Sequence, residues 1–185
     1  LLAAVLALTS SAAWGTGDFF GGLVSRRRHV LAVLVISQGT GLVLIGALLA
    51  IRGIDASAGP RLWFAAIAGT VGVIGLGAFY RGLAIGAMGV VAPISGTAAA
   101  IPVVVGLVLG ERPGPIQWAG IVIAIIGVVL VARESTPERD AETGDRPPIA
   151  AGVGLALIAA VGFGAFLALM GFAADPDPLL ATLVS

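Results

Sequence analysis

Apolar residues run in long uninterrupted stretches along this chain, and charges, prolines or glycines close each one. A helix that crosses about 30 Å of hydrocarbon needs roughly 20 mainly apolar residues, so each stretch predicts one transmembrane span. The first covers 1–24, apolar except for hydroxyls and Asp18, and SRRRH (Ser25–His29) stops it. The second, 30–51, is interrupted only by Ser37, Gln38 and Thr40 and ends at Arg52. Turn chemistry in Gly53, Asp55, Gly59 and Pro60 leads into a third span at 62–80, ended by Arg81.

From Gly82 to Gly110 the chain is uncharged, too long for one upright helix. The glycine-bearing GLAIGAMG (Gly82–Gly89) is the natural connector, which leaves span four at 90–110. GERPGP (Gly110–Pro115) is a tight polar turn, and 116–132 makes span five. The stretch 133–148 holds eight charges and ends in two prolines, so it predicts an aqueous linker. Span six is 149–173, ADPDP (Ala174–Pro178) turns the chain, and a partial seventh span starts at 179. The chain opens inside an apolar stretch and closes just after another begins, so a fragment of a longer protein is expected.

Composition sharpens the pattern into a class. Apolar residues make up 58% and charged ones 11%, against about 25% charged in a soluble domain. With a mean hydropathy of +1.10, that surface cannot be hidden in a soluble fold of this length. The expected fold class is all-α, a polytopic membrane helical bundle, with the lipid bilayer as its first partner. A secretory signal needs its basic leader before the apolar stretch, and here SRRRH follows it.

Absences remove other functions. No Cys is present, which excludes disulfide frameworks and thiolate chemistry. There is no Lys and no Asn, and ten Arg balance ten acids, so no basic footprint for nucleic acid exists. The single His29 cannot build a metal site by itself, and no cofactor is implied. GTGDFFGG (Gly15–Gly22) has the wrong spacing for a dinucleotide fingerprint and follows no strand. One intramembrane acid without a paired base or second acid does not make an intramembrane enzyme. A channel or structural membrane subunit remains the alternative to a transporter.

An internal repeat emerges at an offset of 149 residues. Leu6, Ala7, Leu8, Gly15 and Gly22 then fall on identical residues, and Trp14 falls on Phe163. The second copy begins five spans after the first, and an odd offset inserts it upside down. That is the inverted-topology architecture of many secondary transporters.

AWGTGDFF (Ala13–Phe20), FYRGLA (Phe79–Ala84), the proline-bearing Val90–Arg112 with its GER turn, and QWAGIVIAIIGVVLV (Gln117–Val131) together resemble the EamA-type transporters of the drug/metabolite transporter superfamily. The resemblance covers 1–132 as one repeat, and 149–185 resembles the start of a second. It implies ten spans in two five-helix repeats, a cytoplasmic N-terminus and a small-molecule metabolite substrate at the plasma membrane. The remaining helices of the second repeat, or a second copy of the chain, would complete the pathway. Arginine counts favour the opposite orientation: seven lie in loops 1–2, 3–4 and 5–6, against three in loops 2–3 and 4–5. The family orientation is retained as the expectation.

Candidate site residues follow from polarity inside the spans. Asp18 is the only acid within a span, and such residues usually face a cavity or a partner. It binds a cationic substrate, carries a coupling proton, or pairs with Arg26–Arg28 at the interface; the three readings stand side by side. Trp14 lies one turn before it on the same face, placed for cation–π attraction or for packing. Ser37, Gln38, Ser95 and Thr97 line a pathway or bond between helices. Tyr80 and Arg81 close span three, with Arg81 snorkelling to the interface. Pro93 and Pro102 bend span four, and a broken span points to a site. Gly69, Gly72 and Gly75 form a small-residue stripe for close helix approach. Trp63 and Trp118 belong to an aromatic belt, and Glu111 and Arg112 to a charged turn.

Overall fold

The computed structural model describes residues 2–52, 62–134 and 149–173, together with Thr182, and every described element is a helix. The chain forms α1 (Leu2–Ser25), α2 (Val30–Arg52), α3 (Leu62–Ile85), α4 (Met88–Gly96), a 3₁₀ turn (Thr97–Ala99), α5 (Ala100–Val108), α6 (Pro115–Glu134) and α7 (Ile149–Ala173). The protein is a helical membrane bundle. The loop at 53–61, the turn at 174–178 and the partial seventh span lie outside the described residues, as does the linker from 135 onward.

Several boundaries differ from expectation. Helix α3 runs through Arg81 to Ile85, so the connector to α4 shrinks to Gly86 and Ala87. The glycines placed there serve packing instead of flexibility. A Cβ on Gly82 would lie 3.0 Å from Val91 Cγ1, and one on Gly86 3.1 Å from Val91 Cγ2. Residues 133 and 134, expected in the linker, extend α6.

The fourth span is interrupted one turn before Pro102, while Pro93 sits inside an unbroken α4. Pro102 has no N–H to give the Ala98 carbonyl, and the ladder tightens there into the 3₁₀ turn. The Thr97 hydroxyl adds to the distortion by donating to the Ile94 carbonyl at 2.6 Å, a back-bond that bends helices.

The GER turn is a left-handed helix cap. Gly110 adopts φ +92°, Glu111 N–H donates to the Gly106 carbonyl at 2.9 Å and Gly110 N–H to Leu107 at 3.1 Å. Those paired bonds satisfy carbonyls that the helix end leaves open, the arrangement of a Schellman motif. Helix α6 then opens on Pro115, a residue suited to the first helical position. The Gln117 side chain reaches back to accept the Gly114 N–H at 2.7 Å.

Packing centres on α3 and α7, the most extensive helix pair in the bundle. A Cβ on Gly75 would stand 3.1 Å from Gly162 Cα, and one on Gly86 3.0 Å from Gly152 Cα. Rising numbers on α3 meet falling numbers on α7, so the two run antiparallel. Membrane helices gain no hydrophobic drive from each other and associate by such close backbone approach. Helix α7 also touches α4, the 3₁₀ turn and α5, while α1 leans on α3 and α2, and α6 on α4. Val91 is fully buried at the centre beside Ala156 and Ala159.

The outer surface is as apolar as the interior. Leu8, Val35, Ile36 and Val43 are each at least 71% exposed, a surface that suits lipid and not water. Four described helices are long and apolar enough to cross a membrane: Val30–Ile51, Trp63–Ile85, Met88–Val108 and Ala151–Ala173. The apolar run of α6, Pro115–Val131, is shorter. Helix α1 has the length but carries Thr9, Ser10, Ser11, Thr16 and Asp18, so it is the most polar of the long helices.

Candidate functional site

The polar stripe of α1 has a direction. Ser11, Trp14, Gly15 and Asp18 recur at helical spacing and open onto a cavity of about 570 Å³. Its other walls are Ser95, Gly96, Ala98 and Ala99, around the break between α4 and α5, and Phe79, Phe163 and Phe166 from α3 and α7. Both spans that carry unusual local chemistry therefore face one space.

A second cavity, of about 640 Å³, shares part of this lining. It is lined by Ser37 and Gln38 of α2, by Gly69, Gly72 and Tyr80 of α3, and again by Trp14, Asp18, Phe163 and Phe166. Those last four side chains border both cavities. Asp18 is half-buried there, and it is the only charged side chain lining either cavity among the described residues.

Helix contacts fix the wall in place. Continuing the α1 stripe, Gly21 leaves room for the Tyr80 ring and Gly22 for Leu83 and Met88. Phe79 and Phe163 meet edge to face with centroids 5.6 Å apart, a favoured aromatic geometry. Phe166 packs on Gly72, where a Cβ would come within 3.0 Å of its ring. Ser95 is buried, and its hydroxyl makes a long 3.5 Å bond to the Ala156 carbonyl on α7. Along the α3 glycine stripe, Gly72 and Gly75 pack against α7, and Gly69 and Gly72 border the second cavity.

Of the residues singled out by sequence, Asp18 and Trp14 share the wall, Ser95 faces the first cavity, and Ser37, Gln38 and Tyr80 the second. Pro93 is buried within α4 and lines neither cavity. Thr97 is occupied with its own helix. Pairing of Asp18 with the arginine run does not occur among the described residues. Arg26 instead turns across to α3, its Nε donating to the Leu83 carbonyl at 3.4 Å. Phe79, Phe163 and Phe166 were not singled out as site residues. The one hint was that Phe163 aligns with Trp14 at the 149-residue offset.

The family model of the EamA-like transporter family matches residues 1–133. No curated protein and no solved structure matches the chain.

Proposed function

We propose that this chain, which belongs to the EamA-like transporter family, moves small organic metabolites or drug-like solutes across the cell membrane by alternating access. The observation that carries the reading is one group of side chains shared by two cavities. Asp18 and Trp14 line both cavities, so a solute held by them is within reach of either one. In the complete transporter, α1–α6 form a five-helix repeat, with α4 and α5 as one broken span, and α7 begins its inverted partner. The antiparallel run of α3 and α7 fits five crossings between the copies. No P-loop occurs in the sequence, so the energy comes from an ion gradient or from the solute's own.

Vesicles containing the full-length protein test this. Saturable flux of an amino acid, a nucleobase or a drug-like cation is expected, and Asp18→Asn with normal membrane insertion should lose most of it. An absence of flux for every one of these, with and without a pH gradient, overturns the reading. Undiminished flux in Asp18→Asn removes that residue from the mechanism.

A further inference from the structure

The lining that the two cavities share has a chemistry of its own, and we propose that it is a binding site for monovalent organic cations with an aromatic or apolar body. This substrate class rests on the transporter reading and deepens it. Charge is the first argument. Asp18 is the only charged group lining either cavity among the described residues, and the nearby Arg26 is directed to the Leu83 carbonyl. A carboxylate in a largely apolar cleft, with no fixed counter-charge, attracts a cation and repels an anion.

The rings around the carboxylate set the body of the ligand. Trp14, Phe163 and Phe166 border both cavities with Asp18, and aromatic faces attract ammonium groups. Beside Asp18 and Trp14 the first cavity offers, among the described residues, only the Ser11 and Ser95 hydroxyls, so a sugar or nucleobase finds little to bond there. At the repeat offset, Trp14 corresponds to Phe163 but Asp18 to Leu167, and all four line the first cavity. Among the described residues both α1 and α7 supply a ring and only α1 supplies a charge, which matches a ligand of single positive charge. Each cavity lies within the ordinary size of a small-molecule site.

Equilibrium binding of radiolabelled benzyltrimethylammonium to the full-length transporter in nanodiscs tests the inference without requiring flux. Saturable binding is expected that unlabelled cation displaces and that benzyl alcohol and benzoate, at similar size, do not. Asp18→Asn should weaken affinity by at least about tenfold, and Trp14→Ala by about two- to fivefold. Asp18→Glu keeps the charge and should stay within about threefold of the native protein, which separates loss of charge from loss of fold. Equal affinity in a monodisperse Asp18→Asn protein overturns the proposal. Equal competition by benzyl alcohol or benzoate, or no saturable cation binding to the native protein, does the same. A site that fails here while vesicle flux of a neutral solute persists leaves the transporter reading standing and removes only the cation.

Discussion

The ring of Tyr80 occupies the space that a side chain at Gly21 would need, its Cε1 2.8 Å from where a Cβ would stand. Gly21→Ala should therefore push the ring toward the second cavity, which Tyr80 lines. Overpacking of this kind costs about 1–3 kcal/mol. Thermal unfolding in detergent should show a lower midpoint for Gly21→Ala and partial recovery when Tyr80→Ala is added. An unchanged midpoint in the single variant would mean that the ring moves aside freely.

Gly162 leaves less room for relief, because its neighbour is backbone. A Cβ there would lie 2.6 Å from Gly75 Cα, and no rotamer change relieves that. Gly162→Ala is expected to separate α3 from α7 and to lose about 1–3 kcal/mol. Gly46→Ala and Gly120→Ala are the contrast, since a Cβ at either meets nothing within 4 Å. In a helix interior alanine outperforms glycine by up to about 1 kcal/mol, so these two should be neutral or stabilising by the same assay.

The cap at Gly110 makes a conformational prediction. Its φ of +92° is a region that side chains with a Cβ enter at about 1–2 kcal/mol. Gly110→Ala should lower the unfolding midpoint, and Gly110→Asn should lower it less, because asparagine tolerates left-handed backbone. Equal loss in both variants would count against the cap as the cause.

Pro102→Ala returns an N–H to the ladder and should let the fourth span close over its 3₁₀ turn. Ser95, Gly96, Ala98 and Ala99 border the first cavity from that break, so straightening it reshapes the wall. The expected outcome is a higher unfolding midpoint together with slower vesicle flux. A gain in stability with unchanged flux would show that the break is tolerated and not used.

The spans were legible because hydrophobic length and charged stops dictate them. Helix α2 starts at the expected Val30, and α7 covers the expected 149–173. Of the two prolines expected to bend span four, Pro102 follows the 3₁₀ turn while Pro93 sits inside an unbroken α4, and Asp18 announced itself as the acid in a membrane helix. The aromatic part of the wall was not legible. In a bundle that faces lipid, the inside and the outside are both apolar, so a phenylalanine carries no periodic sign of where it points. Phe163 and Phe166 became wall residues only once α7 had docked. The glycines at 82 and 86 misled for a related reason: the same residue serves turns and close packing, and only Val91 opposite them decides which.

The seam between Gly75 and Gly162 also has a consequence in time. About 90 residues separate the two in the chain, so at 5–20 residues per second synthesis delivers the second roughly 4–18 s after the first. For that interval α3 sits in the membrane with its glycine face uncovered by its eventual neighbour. Lipid, α1, or the insertion machinery must shelter that face until α7 arrives. This close backbone approach thus waits on about 90 residues of further synthesis, and a newly made chain interrupted before Gly162 would lack it altogether.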